Sequence, residues 1–360
     1  MVASDSKHPP STVYSTELGD MWHGDAIDVM RTLDDESVDL VLTSPPFALT
    51  RSKAYGNEPE EEYVDWFRPF AKEAQRILKG SGSLVIDLGG AFKPSEPVKS
   101  LYQYRLLIDL VDNVGFHLAQ DFYWFNRSKL PGPAQWVTVN RVRAKDAVNC
   151  IWWLGKTASP RADNRRVLKE YSPAMKRLIA RKSYNSGERP SEHHIGQDWA
   201  KDQGGAIPSN VIGDEDLRRG KREAVEDAKA YFEALEAGED LWIDGVRVTA
   251  LNEPDNLLDW ANTDSVEPYH RFCKLNDLKR HPARFPRRVV EFFVSFLTEP
   301  GDLVVDPFGG SNMTGAVAEQ LGRQWLSVDL VHEYILGSLG RFGEYDLVFH
   351  GGDSNGLVWP

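Results

Sequence analysis

Val38-Asp39-Leu40-Val41-Leu42-Thr43-Ser44-Pro45-Pro46-Phe47 near the start of the chain, and Leu303-Val304-Val305-Asp306-Pro307-Phe308-Gly309-Gly310-Ser311-Asn312-Met313-Thr314-Gly315 near its end, decide the fold. Each begins as a short apolar run, the pattern of a strand buried on both faces of a parallel sheet. Each run passes directly into a turn, rigid in the first case and Gly-rich in the second. Open α/β sheets bind ligands at such strand ends.

The flanking sequence repeats the alternation. Apolar spacing predicts helices over 26–33, 62–78, 101–114, 287–298 and 314–321, and strands over 83–87, 116–125, 302–305 and 324–329. Strands alternating with helices predict an α/β fold with a mostly parallel, doubly wound sheet. Between 127 and 213 the pattern loosens into basic, Pro and Gly residues with short strands such as 147–154. A strong helix is expected over Lys221–Ala237, followed by a hairpin over 241–251 that turns at Asp244-Gly245. Residues 1–16 read as a flexible tail.

At 360 residues, with 41% hydrophobic and 27% charged, the chain can bury a full core. The longest apolar run, near 289–297, is too short to cross a bilayer, and no secretory pattern opens the sequence. Two cysteines, Cys150 and Cys273, make no disulfide framework, so a reducing, cytoplasmic location is expected. His193-His194 lacks spaced partner ligands and reads as a polar loop, so no metal is expected. The net charge of −12 hides an asymmetry: residues 127–182 hold fourteen Lys and Arg against three acids, or +11, leaving −23 for the rest. One basic face can hold a phosphate backbone while the others keep the protein soluble. A solvated basic helix around 171–182 is the plain alternative.

The late loop lets backbone approach a ligand closely, because Gly309 and Gly310 carry no Cβ. The helix that follows turns its free N–H groups toward the site, which suits a carboxylate. No Gly-Lys-Ser/Thr and no Gly-x-Gly-x-x-Gly is present, which argues against a phosphate loop and a nicotinamide enzyme. Asp329, ending the next strand, stands where an acid would hold ribose hydroxyls. A tight turn and helix cap would account for the Gly loop alone. In the early loop two prolines remove two N–H donors, leaving carbonyls such as that of Pro45 free to accept. Ser44 adds a hydroxyl, and Phe47 a ring on which a planar base can stack.

These motifs, in this order, resemble the amino-DNA-methyltransferases of the permuted β group, in which the catalytic loop comes first and the S-adenosylmethionine loop last. Ser-Pro-Pro-Phe is the form typical of the cytosine-N4 enzymes, whereas the adenine-N6 enzymes usually carry Asp-Pro-Pro-Tyr. The resemblance covers most of the chain. It is closest to the PvuII-type modification methyltransferases through Phe122-Tyr123-Trp124-Phe125-Asn126, Lys145-Asp146-Ala147-Val148-Asn149, Gly204-Gly205-Ala206-Ile207-Pro208 and His281-Pro282-Ala283-Arg284-Phe285-Pro286.

The resemblance implies a Rossmann-like, S-adenosylmethionine-dependent methyltransferase with a circularly permuted doubly wound sheet and an inserted target-recognition region. It assigns 17–126 to a catalytic half, 127–280 to target recognition with an insertion at about 211–254, 281–345 to a cofactor half, and 346–360 to a tail. Ser44, Pro45, Pro46 and Phe47 would hold a flipped cytosine, with Asp87 bonded to the serine. Asp306, Phe308, Gly309, Gly310 and Ser311 would line the cofactor, with Asp329 on the ribose, Asp25 near adenine and Phe285 near the methionine end. A side chain at 310 is expected to fill cofactor space. Arg127, Lys129, Arg141, Arg143 and Lys145 are the expected contacts to double-stranded DNA. Asn312 stands in place of the second glycine of the common Phe-x-Gly-x-Gly pattern. The implied function is cytosine-N4 methylation in a restriction–modification system, beside a possible endonuclease of the same specificity. Adenine-N6 methylation is the nearest alternative, and a non-catalytic DNA-binding protein of this fold a more distant one.

Overall fold

Every residue of β3 (Val38–Thr43) is buried, including Asp39 at its first turn, so this strand lies in the middle of a sheet with cover on both faces. The computed structural model describes residues 9–48, 58–126, 129–182, 187–188, 194–195, 201–212, 241–243, 246–248, 268–350 and 357–359. Ahead of β3 come β1 (Ser11–Ser15), β2 (Gly19–His23) and α1 (Ala26–Met30). Then follow α2 (Tyr63–Ile77), β4 (Leu78–Leu88), α3 (Tyr102–Asp109), β5 (His117–Phe125), β6 (Val148–Gly155) and α4 (Pro173–Arg181). Short strands β7 (Gly187–Glu188), β8 (His194–Ile195), β9 (Val211–Ile212), β10 (Leu241–Ile243) and β11 (Val246–Val248) precede α5 (Pro268–Leu275). The chain closes with α6 (Arg287–Leu297), β12 (Leu303–Asp306), α7 (Met313–Gln320), β13 (Gln324–Asp329), α8 (His332–Ser338) and β14 (Val348–Phe349).

Ten strands form one sheet in the order β14-β1-β2-β13-β12-β3-β4-β6-β5-β9. Its centre, β2-β13-β12-β3-β4, is parallel; β1 and β14 on one side and β6 on the other join antiparallel. The sheet is therefore mixed rather than mostly parallel. Side chains alternate between two cores, as a period of two requires. Leu40, Leu42, Val85, Val304 and Trp325 face α6 and α7. Val41, Leu84, Ile86, Val305 and Leu326 face α1, α2 and α3. The first half of the chain and the last thus share one sheet, with β12 hydrogen-bonded beside β3, which is the permuted arrangement.

Several sequence expectations need correction. Residues 11–15, expected in a tail, form β1, with Val13 and Tyr14 buried; residues 348–349 of the expected C-terminal tail pair with it. Edge strands this short carry too few apolar residues to announce themselves. The strand expected within the recognition region is β6, which lies inside the sheet between β4 and β5. The helix expected through 114 widens into a π turn over Leu110–Val114 and stops at left-handed Gly115. The expected helix 221–237 and the hairpin turn at 244–245 lie outside the described residues, while β10 and β11 pair antiparallel as that hairpin requires.

Candidate active site

Because β13, β12, β3 and β4 run parallel, their C-terminal ends meet at one edge of the sheet. Asp329, the loop from Asp306, the loop from Ser44 and Asp87 are assembled there from positions far apart in sequence. The two loops are joined directly: the Thr43 hydroxyl donates to Asp306 Oδ1 at 2.8 Å, across 263 residues of chain.

The late loop is heavily bonded from within. Asp306 also accepts from the Phe308 amide at 3.0 Å and, on Oδ2, from the Thr314 hydroxyl at 2.6 Å. Its carboxylate is buried and both oxygens are engaged, so it shapes the loop from within. Burial raises its pKa to about 6 against those three donors. Gly310 takes φ +52° and donates its amide to Asp329 Oδ2 at 2.8 Å. A Cβ at 310 would meet the His281 imidazole at 3.1 Å, so that ring would have to give way by a few tenths of an ångström. Burial pushes His281 down to about 4, which keeps the ring neutral at physiological pH. Asn312 also has φ +52°, a conformation asparagine tolerates better than most residues. Its side chain caps α7 through Gly315 and donates to Tyr14, which explains how Asn replaces the glycine. Ser311 is held by Arg341, which donates to its carbonyl at 2.7 Å. The Phe308 ring packs against Trp66, Phe67 and Phe70 of α2.

Asp329 is half-buried and accepts from two backbone amides, Gly310 on Oδ2 and Val331 on Oδ1. Each oxygen keeps a lone pair for a ligand hydroxyl. Burial raises this acid to about 6. Asp25 ends the turn after β2 and caps α1 with one oxygen, bonding the amides of Ile27 and Asp28. Phe285 precedes α6 and packs half-buried on the core beneath it. Main-chain approach at Gly309 and Gly310, the Asp329 carboxylate and the N-terminus of α7 fit a nucleoside carrying an amino-acid tail.

The early loop is held at its rear. Tyr63 donates its hydroxyl to the Pro46 carbonyl at 2.7 Å, and the Phe47 ring lies where a Cβ on Gly89 would be, 2.5 Å away. Gly89 is therefore glycine so that this ring can lie across the end of β4. The Pro46 carbonyl is taken, while no bond to that of Pro45 is seen among the described residues. Ser44 Oγ donates to Asp87 Oδ2 at 3.3 Å. Asp87 is 3% exposed, and its Oδ1 has no hydrogen-bond partner among the described residues. Burial raises its pKa to about 7, opposed by Asn149, Ser44 and the charge of Lys129.

The expected DNA contacts divide. Arg141, Arg143 and Lys145 are exposed; Arg143 also donates to the Pro97 carbonyl. Lys129, by contrast, is turned inward: its ammonium donates to Asn149 Oδ1 at 2.8 Å and to the Val148 carbonyl at 3.2 Å. Arg127 lies outside the described residues. Much of the basic excess is also neutralised within the fold, since Lys156 pairs with Glu36, Arg161 with Asp39 and Asp302, and Arg166 with Glu299. In α4 no residue is buried, and Arg177, Arg181 and Lys182 remain exposed. Sequence reasoning missed Thr43, Thr314, Asn149, Tyr63 and Arg341. Thr43, Thr314 and Asn149 stood within quoted motifs but were given no role, and Tyr63 and Arg341 carried no signal.

A sheet of this order, with a nucleoside cradle after β12 and a Ser-Pro-Pro-Phe loop beside it, defines the Rossmann-like methyltransferases. The model of the DNA methylase family that acts at N6 and N4 amino groups matches residues 38–338, and the chain belongs to that family. It is 44% identical to the type II methyltransferase M.PvuII of Proteus hauseri, over 91% of this chain and 85% of that one. It is 22% identical to the DNA adenine methyltransferase YhdJ of Escherichia coli K12, over 92% and 84% of the two chains. Among solved structures, the cytosine-N4-specific PvuII DNA methyltransferase superposes with a TM-score of 0.63 at 39% identity, covering 91% of this chain and 87% of that one. Among the described residues no helix is long and apolar enough to cross a membrane.

Proposed function

We propose that this DNA methyltransferase transfers a methyl group from S-adenosylmethionine to the N4 amino group of cytosine in duplex DNA. The observation that carries the reading is Ser44 at the end of β3, its hydroxyl turned to a buried acid, where the adenine enzymes of the family typically carry aspartate. The 44% identity to M.PvuII supports the same choice.

The cofactor, when bound, supplies a methyl group on a sulfonium centre. Asp329 serves its ribose, and the amides opening α7 its carboxylate. The target lies inside a stacked duplex, so it must be flipped out before it can reach the loop. Phe47 then offers a ring face to the base. The N4 lone pair is delocalised into the pyrimidine ring, which makes the amine a weak nucleophile. Ser44 points its own proton at Asp87, leaving Oγ lone pairs to accept from N4. The Pro45 carbonyl accepts from the second N4 proton. Both bonds favour a pyramidal nitrogen with a localised pair, and fixed geometry supplies much of the acceleration. The N4 proton becomes acidic only as the new N–C bond forms. It can pass to Ser44 Oγ while the serine proton moves to Asp87, whose pKa of about 7 suits that exchange.

Incubation with labelled S-adenosylmethionine and unmethylated DNA, followed by nucleoside analysis, tests the reading. N4-methylcytosine is expected, and a product containing only N6-methyladenine would overturn it. The protein acts in the cytoplasm, where it protects DNA from an endonuclease of the same specificity. Plasmid from expressing cells should resist that endonuclease.

A further inference from the structure

Lys129 is the anomaly among the basic residues. It follows β5, in the stretch expected to face DNA, yet its ammonium is directed into the site edge, onto Asn149 Oδ1 and the Val148 carbonyl. With its oxygen engaged, Asn149 has only its amide protons to offer, and it lies on the Asp87 face of the sheet, two residues along β6 from Ile151, the register partner of Asp87. Asp87 in turn holds the Ser44 proton. Two bonded pairs, Lys129 with Asn149 and Ser44 with Asp87, thus lie on neighbouring strands, one at the rim and one at the reacting hydroxyl. A lysine needed only for phosphate would leave its ammonium in solvent, where counterion release supplies its binding energy.

We propose that Lys129, acting through Asn149, is a positioning residue for methyl transfer, holding the Asp87 carboxylate charged and aligned beneath Ser44. The inference rests on the reading of Ser44 and Asp87 given above. Around Asp87 stand Ser44 from the β3 loop, Asn149 and Cys150 from β6, Tyr102 from α3 and Lys129 after β5. Asp146, paired with Lys99, flanks Lys129, and Asp121 faces Cys150. Burial raises both the Cys150 thiol and the Tyr102 phenol, so neither ionises near neutrality. Of the described groups around Asp87, Lys129 is thus the one whose charge opposes its protonation, and removing that charge should move Asp87 further up.

The test is a kcat–pH profile for the full-length protein on unmethylated plasmid DNA with labelled S-adenosylmethionine. Lys129→Met should lower kcat about tenfold at pH 7 and move the acid limb up by about one pH unit. The KM values for DNA and cofactor should stay within about twofold, and Lys129→Arg should restore the limb, since it returns the charge. If Lys129→Met fails to melt cooperatively, Lys129→Gln carries the same test, because it keeps a donor for Asn149 without the charge. An unmoved acid limb would overturn the proposal. So would a loss confined to the KM for DNA with the salt slope reduced by about one, the signature of a phosphate contact. Asp87→Asn separates the two levels of inference. Wild-type turnover in that variant refutes the Ser44–Asp87 reading itself. A crippled Asp87→Asn beside an unaffected Lys129→Met refutes only the role of Lys129.

Discussion

The two loops at the sheet edge are built on opposite principles. In the late loop every strong group has partners: Asp306 takes three donors, Asn312 caps a helix and anchors Tyr14, and Arg341 grips Ser311. In the early loop the rear is fixed by Tyr63 and Gly89, but the reactive end is under-bonded. Ser44 meets Asp87 at 3.3 Å, and one Asp87 oxygen is buried without a partner among the described residues. A binding frame gains from being over-determined, because rigidity reduces the ordering cost of its ligand. A reacting pair gains from unsatisfied capacity that only the substrate fills. The cost is stability, which functional sites commonly give up.

Removing the reactive hydroxyl should have the largest effect. Ser44→Ala is expected to lower kcat by about a hundredfold or more, the scale of a proton-transfer group. Cofactor affinity measured by calorimetry should not change, because the Ser44 hydroxyl is turned to Asp87 and not to the late loop. An equal loss of affinity would break the separation between the loops.

One residue earlier the consequence should invert. Thr43→Val keeps shape and branching but withdraws a donor from buried Asp306, so stability should fall by about 1–3 kcal/mol. Urea denaturation checks this, with Ser44→Ala as the control that changes midpoint little. Next in size is Gly310→Ala, expected to weaken cofactor binding about tenfold, because a left-handed non-glycine residue costs roughly 1–2 kcal/mol and its Cβ must displace His281. Wild-type affinity in that variant would refute the role given to the Gly310 turn.

The contrast explains what could be read in the sequence. Both strand ends were legible because a buried central strand is locally apolar and its turn follows at once. The bonding of each loop was not, since Thr43 and Asp306 are neighbours only after the sheet forms. The inward turn of Lys129 was hidden for the same reason: a local charge count does not say which way a side chain points. Nor does it register that Arg161 finds Asp39 and Asp302, more than a hundred residues away in sequence. β6 was recognised as a strand but not as a member of the main sheet, because period-two alternation is blind to the partner. The Asn312 substitution needed the backbone angle before it made sense.

The smallest effect probes the stability cost of the early loop. Asp87 has a folded pKa of about 7, raised above its unfolded value by burial. Such a group binds its proton more tightly when folded. Its contribution to stability is fully present below the unfolded pKa and is lost as pH rises through about 7. At pH 8 the protein therefore carries a buried, half-satisfied carboxylate at a net cost. Asp87→Asn removes the charge, so it should raise Tm at pH 8 by a few degrees, about 2–4 °C, while turnover collapses. At pH 5 Asp87 is mostly neutral in the folded protein but still ionised in the unfolded chain, so part of the cost remains and the gain should shrink to about half or less. Thermal melts of both proteins at the two pH values decide the matter. A gain that is the same at pH 5 and pH 8 would mean that the carboxylate is not strained by its burial, and the contrast between the loops would reduce to geometry alone.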